Sequence, residues 1–420
     1  MEPFLLFRAT RVDDGAAIRE LARHTYDGHD TLGREFDALL SDEACDPIGV
    51  EASVVLIRSD ADDADDAATT VSLRRAENLV LKPGEVEVGR RRQVIAFENL
   101  RLIDAGRTGW IESLRVHPAF RGLGLSLRLQ REQIRRAVAA ASSRLERFRY
   151  STVDANAASR HIGQRCGFAV SELTAFALIA GDDLDRARSA VAAALDGYDE
   201  EEEEAVVVAA AERGGEVVAA ALVEYCSLRR RESIDVVLNF KVFAADAIAS
   251  LLPELHAEEQ TWTLLRVAGQ RADNGAAGVG ATERSAAALS VSCARAEGDP
   301  AMGRAATLLL RPVAAAVTAE DRVAADAVRE REALALLARE LDACAPQSTL
   351  FLFMPLGVRA LLEARGIVAA ELGSTMPTQA RTISLLECDL AAARANLQLW
   401  SKEEEEEEGA EEEGNSTNSS

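Results

Sequence analysis

The chain has 420 residues, 48% apolar and 28% charged, a balance expected of a folded globular protein with length for two or three cores. The longest apolar runs, residues 205–211 and 308–317, are short or broken by Arg311, so no membrane-crossing helix and no membrane partner is expected. The net charge of −23 is concentrated, because Asp199–Glu204, Glu403–Glu408 and Glu411–Glu413 hold fifteen acids and leave −8 for the rest; such solvated acidic runs disfavour a nucleic-acid partner.

Phe4–Arg8 reads as a strand, and Asp13 or Asp14 caps a helix carrying Ile18, Leu21 and Ala22 on one face. A second helix is expected around Arg34–Leu40, then a strand over Ser53–Ile57. Residues 59–70, acidic and small, read as a surface insertion. Gln93–Leu102 and Gly109–Val116 are strands joined by a turn at Asp104-Ala-Gly106. A helix runs from Gly124 to about Ala141, Arg149–Val153 is a strand, Asn156–Arg165 a helix, and Gly167–Ile179 a closing strand.

In the second half Val236–Val242 and Leu350–Met354 read as strands and Ala319–Ala343 as a long helix. The run Phe148–Val170 (strand, helix, Cys-Gly-Phe-Ala-Val) is echoed by Leu350–Val368 (strand, helix, Arg-Gly-Ile-Val). Either an internal repeat or ordinary punctuation by a helix-ending glycine accounts for it. The expected organisation is residues 1–180 as one domain, 181–204 as a helix and acidic linker, 205–396 as a second lobe and 397–420 as a disordered acidic tail.

Met1–Arg11 lacks the basic start of a secretory leader, and the six cysteines are scattered without a CxxC pair, which fits a reducing, cytoplasmic setting. With five histidines and no HExxH, no metal is expected.

The chemistry concentrates in Trp110–Ser126. A strand stops at His117-Pro118, and Arg121-Gly-Leu-Gly-Leu-Ser126 opens a helix. Glycines there turn backbone N–H groups toward one point at a helix N-terminus, an arrangement suited to a pyrophosphate. The loop lacks the Gly-Lys-Ser/Thr of a P-loop and the third glycine of a dinucleotide fingerprint.

Downstream stands Asn156-Ala-Ala-Ser159, then His161-Ile-Gly163, then Cys166-Gly-Phe168. Together the two segments resemble the GNAT superfamily of acetyl-CoA-dependent N-acyltransferases. Phe7–Thr10, Tyr26–Leu32, Asn99–Asp104, Glu112–Val116, Val236–Phe243 and Leu350–Met354 further resemble its histidine N-acetyltransferase branch, from which the insertion at 59–89 departs.

The resemblance implies an α/β fold with a mixed, mostly antiparallel sheet flanked by helices, and a second GNAT-like lobe; because nothing there matches Arg121–Ser126, and Gly298-Asp-Pro-Ala-Met-Gly303 sets an acid beside a proline, that lobe is expected to be degenerate and to bind no CoA. It implies acetyl-CoA as cosubstrate, held by Leu114, Arg115, Val116, Arg121, Gly122, Leu123, Gly124, Leu125, Ser126, Asn156 and Ser159. Tyr26 and Asp30 fall on its substrate side, with a helix–helix turn as their alternative. Glu112 falls near the family base, and is otherwise a strand-surface carboxylate paired with Arg. The position of the family's tyrosine acid holds Gly163, with Tyr150 or Cys166 as substitutes or as core. Arg128, Arg131 and Arg135 either meet CoA phosphates or form a solvated face. The implied activity is acetyl transfer to a small primary amine, such as the amino acid histidine. Transfer to a peptide amine and non-catalytic acyl-CoA binding are the rivals.

Overall fold

The computed structural model describes residues 4–9, 14–23, 50–58, 93–140, 144–196, 206–209, 235–238, 241–244, 262–268, 286–294, 304–310, 319–345, 348–367 and 382–416. The expected helix at 34–40, the insertion, the linker and both Tyr26 and Asp30 lie outside these residues. The chain divides into two compact units. Unit one is residues 1–150, 156–170 and 386–420; unit two is residues 151–155 and 171–385.

Unit one is built on β1 (Phe4–Ala9), β2 (Val50–Arg58), β3 (Gln93–Ile103), β4 (Thr108–Val116) and β5 (Arg147–Val153), in that order across the sheet. Strands β1 to β4 are antiparallel, and β5 joins β4 in parallel. Helix α1 is Gly15–Arg23, α2 (Leu125–Ala140) connects β4 to β5, and α3 (Ala157–Arg165) follows β5. The β3–β4 hairpin closes as expected through Asp104 and Ala105. Both have positive φ, and Gly106 N–H returns to the Ile103 carbonyl at 3.1 Å.

The expected contiguous boundaries give way in two places. Strand β6 (Ala169–Ala180) leaves unit one within two residues and pairs with unit two's β13 from Ala175 to Ala180. The end of β14 (Thr382–Asp389) and helix α7 (Leu390–Ser416) belong to unit one, with β14 beside β5. The expected disordered tail is therefore helical through Ser416. Leu390, Ala393, Leu397 and Trp400 recur at helical spacing and pack in the core with Phe148, Tyr150 and Phe168. Trp400 is 3% exposed, lies under Arg131 at 4.9 Å, and is flanked by an Arg131–Glu403 ion pair of 3.1 Å.

Unit two takes the rest: α4 (Asp182–Leu195), β7 (Val206–Ala209), β8 (Asp235–Leu238), β9 (Lys241–Ala244), β10 (Trp262–Ala268), β11 (Ala286–Ala294), β12 (Arg304–Leu310), α5 (Ala319–Asp342), β13 (Thr349–Met354) and α6 (Leu356–Ala364). The single strand expected at Val236–Val242 is a hairpin of β8 and β9, because the apolar run hides the break at its middle. The sheet order is β7-β10-β11-β12-β13-β6.

This order repeats that of unit one. The pairs β7–β10, β10–β11 and β11–β12 are antiparallel, β12–β13 is parallel, and α5 connects these last two strands as α2 connects β4 to β5. The helices after β5 and β13 even end alike. Gly167 and Gly366 have φ of 80° and 68°, and the next N–H reaches back to Gly163 and Leu362 respectively, both at 2.9 Å. The echo in the sequence is a repeat of supersecondary units.

Candidate active site

Strands β4 and β5 pair only at Thr108↔Arg147, Gly109↔Phe148 and Trp110↔Arg149, although β4 continues to Val116. From Ile111 onward β4 has no registered partner on its β5 side. On the other side the register with β3 slips: Phe97 faces Arg115 and Asn99 faces Glu112, so Glu98 alone opposes Ser113 and Leu114. Ser113 carries the extra residue's strain with φ of 62°. A bulge of this kind turns β4 amides out of the ladder. Leu114, Arg115 and Val116 lie on this stretch, where the sequence expectation put them.

The turn Pro118–Phe120 and the loop from Arg121 then deliver the chain into α2. His117 N–H is anchored on the Ile95 carbonyl (2.8 Å), and Arg121 Nε donates to the Val116 carbonyl (3.2 Å). Gly122 and Gly124 have φ of 82° and 73°, and a Cβ added to either meets nothing within 4 Å. Among the described residues no backbone carbonyl accepts the N–H of Gly122, Leu123 or Gly124, and the first bond of α2 runs from Arg128 N–H to the Gly124 carbonyl. The N–H groups of Leu125 and Ser126 are therefore first-turn donors of the helix. Exposed, positive-φ backbone over open space fits a pyrophosphate.

The other expected residues divide. Asn156 caps α3, its Oδ1 accepting from Ser159 N–H at 3.1 Å, and the Ser159 carbonyl accepts from the Tyr150 hydroxyl at 2.8 Å. Both residues thus have local structural roles. Glu112 stands on one face of β4, where its Oε1 accepts from Asn99 Nδ2 (2.8 Å) and lies 3.7 Å from Arg101 Nε. The arginine pairing weighed for it is present, while its side chain stays 18% exposed. Of the expected phosphate contacts, Arg131 is held by Trp400 and Glu403, and Arg135 by Glu132 at 2.6 Å.

Gly163 has no room for a side chain, because a Cβ there collides with the Tyr150 hydroxyl and the Leu386 methyl. Tyr150 fills that space as core, 6% exposed, and burial drives its phenol pKa far above the ordinary value. Burial likewise pushes the Cys166 thiol up to about 12.

One polar group escaped the sequence reading. Glu98 is fully buried, neither carboxylate oxygen has a hydrogen-bond partner among the described residues, and desolvation raises its pKa well above 4.5. An acid amid Val94–Leu100 breaks a continuous buried strand, which was the available signal.

The acetyltransferase (GNAT) family model matches residues 58–168, which span β3, β4, the glycine loop, α2, β5 and α3. The chain carries a GNAT acetyltransferase domain. It is an acyltransferase of the GNAT fold, and the family's cosubstrate is acetyl-CoA. No curated protein matches the sequence. Similar solved structures include a tandem GNAT protein from the clavulanic acid biosynthesis pathway, at 12% identity over 92% of this chain and 98% of that one, with a TM-score of 0.48. A GCN5-related N-acetyltransferase from Sphaerobacter thermophilus shares 12% identity over 92% and 95%, with a TM-score of 0.46. A spermidine N-acetyltransferase SpeG chimera from Vibrio cholerae and hSSAT shares 17% over 40% and 84%, with a TM-score of 0.25. Among the described residues no cluster of metal-ligating side chains occurs beside the GNAT loop or elsewhere, and no helix is long and apolar enough to cross a membrane.

Proposed function

We propose that the protein transfers an acetyl group from acetyl-CoA to the primary amine of a small molecule, an amino acid such as histidine, in the cytoplasm. The observation that supports this most is the parting of β4 from β5 beyond Trp110 directly before the open glycine loop. On its β5 side, where β4 has no registered partner, the stretch Leu114, Arg115 and Val116 meets the pantetheine and thioester, and Arg121 to Ser126 take the pyrophosphate. Amides freed by the bulge polarise the thioester carbonyl, which raises its reactivity toward the nitrogen. Glu112, half-buried and reachable by water, accepts the proton that the amine gives up. The amino-acid preference rests on the resemblance of Tyr26–Leu32 and Asn99–Asp104 to the histidine-acetylating branch, with Tyr26 and Asp30 as substrate contacts.

Free thiol release measured with acetyl-CoA and a panel of amines, including L-histidine, polyamines and peptides, tests the reading. Release above the hydrolysis blank with a free amino acid is expected. Release with peptides alone contradicts it, as does no release with any amine.

A further inference from the structure

Acetyl transfer to an amine moves two protons: the nitrogen loses one as the N–C bond forms, and the sulfur gains one as the C–S bond breaks. The donor of the second is missing from its family position, since Gly163 has no room for a side chain. The two neighbours are poor donors. The Tyr150 proton is committed to the Ser159 carbonyl at 2.8 Å, and burial holds it more tightly still. Cys166, 1% exposed and pushed up to about 12, binds its proton more strongly than an ordinary thiol near about 8.5. A CoA thiolate would have to draw that proton uphill.

We propose, on the acetyl-transfer reading above, that Glu98 is the proton donor to the leaving thiolate. Its place is decided by register: it is the β3 residue across from the Ser113–Leu114 bulge, on the stretch of β4 that has no registered β5 partner. Both of its oxygens lack a partner among the described residues, and Gln130, 1% exposed on α2, faces the same Tyr150 phenol. Glu98 and Gln130 both act on the Tyr150 phenol from β3 and α2, so these three elements enclose one buried polar cluster. A native core rarely leaves such atoms orphaned unless they serve a ligand.

Burial disfavours the charged form of Glu98, and its acidic neighbours do nothing to offset that. From β5 and the end of α3 come Tyr150 and Cys166, each acidic and each raised by the Glu98 charge. Two cations reach Cys166, namely Arg131 of α2, which is paired with Glu403, and Arg165 at the end of α3, while Glu132 is paired with Arg135 and Arg136. Glu112 lies on the other face of β4 with Arg101, and Arg19, Glu20 and Arg23 of α1 are exposed. Burial therefore favours the protonated form of Glu98. In the reaction Glu98 gives its proton to sulfur and becomes a buried carboxylate, a costly state that recovers a proton from the amine side through water. Two carboxyls in opposed environments, Glu98 neutral and Glu112 ion-paired, then divide acid from base.

The test is Glu98→Gln, with Glu98→Leu as a second neutral variant. Infrared spectra of the unliganded protein at pH 7 are expected to show a carboxylic-acid C=O band in wild type that both variants lose. Single-turnover acetylation of L-histidine or of the best amine of the panel is expected to fall about a hundredfold in both. Acetyl-CoA affinity should stay within twofold, and the loss of rate at high pH should disappear. A missing band with an active wild type overturns the donor role alone. So does a variant within twofold of the wild-type rate that keeps the same high-pH limb. A wild type that shows the band but acetylates no amine overturns the acetyl-transfer reading and the donor role with it.

Discussion

The two units share a strand order and a helix between their parallel strands, yet they treat buried polar groups in opposite ways. In unit two, Glu340 of α5 is 0% exposed and fully partnered. Its oxygens take Ser290 Oγ at 2.7 Å and Arg304 Nε at 2.6 Å, and Arg304 also donates to Ser292. In unit one, β3 carries Glu98, neither of whose buried oxygens has a partner among the described residues. The ladders differ in the same sense. Strands β11 and β12 keep continuous register from Ala288↔Leu310 to Ala294↔Arg304, whereas β3 and β4 slip at Glu98. The Glu340 network is arranged for stability, whereas a bulge, bare loop amides and an orphaned acid in unit one are the features the proposed ligand site uses.

The largest expected effect comes from ending the chain at Gly197, which removes the C-terminal part of unit one together with most of unit two. Leu386, Cys388, Ala393 and Trp400 are buried in its core, and Asn396 donates to the Cys166 carbonyl. A chain ending at Gly197 is therefore expected to lose acetyl-CoA binding through loss of cooperative folding, seen by circular dichroism and calorimetry. The milder Trp400→Ala should cost about 3–5 kcal/mol in denaturant unfolding. A Gly197 fragment that folds and binds acetyl-CoA with wild-type affinity would break the division into units.

Next is the satisfied network. Glu340→Ala strands the Arg304 guanidinium, 11% exposed, and should destabilise by about 3–5 kcal/mol while leaving acetyl-CoA affinity within twofold. A large affinity loss without destabilisation would contradict a supporting role for unit two.

Much of this contrast was already legible in residue order. The glycine loop, the Asp104–Gly106 turn and the strand–helix–Gly echo follow from local backbone demands, and those demands are met where the sequence places them. Asn156 and Ser159 were legible as a motif, but only the structure shows them capping α3 and receiving Tyr150. Trp400 was misread because a six-glutamate run follows it, although the Leu390-Ala393-Leu397-Trp400 spacing was present. Glu98 was hidden for a different reason. Its meaning depends on a register slip between strands, and register is a property of pairing rather than of either strand alone.

A smaller effect sharpens the comparison by pH. Because burial raises the Glu98 pKa in the folded state, the folded protein holds a proton that the unfolded chain releases above about 4.5. Stability contributed by that proton is full below that value and is lost as pH rises toward the raised value, by at most about 1.4 kcal/mol per unit. Urea unfolding of wild type and Glu98→Gln between pH 4 and 8 is expected to show this slope only in wild type. Parallel slopes would mean that Glu98 ionises in the folded state as it does in the unfolded one.

The central proposal is that the chain binds one acetyl-CoA, at the glycine loop of unit one. Titration calorimetry of acetyl-CoA into the full chain and into Gly124→Val tests it directly. A β-branched side chain at φ of 73° strains the loop and fills the open space above it. The expected result is one site per chain in wild type, with affinity lower by roughly a hundredfold, about 2.7 kcal/mol, in a folded Gly124→Val. Two sites per wild-type chain, or one site that Gly124→Val leaves unchanged, would contradict the account.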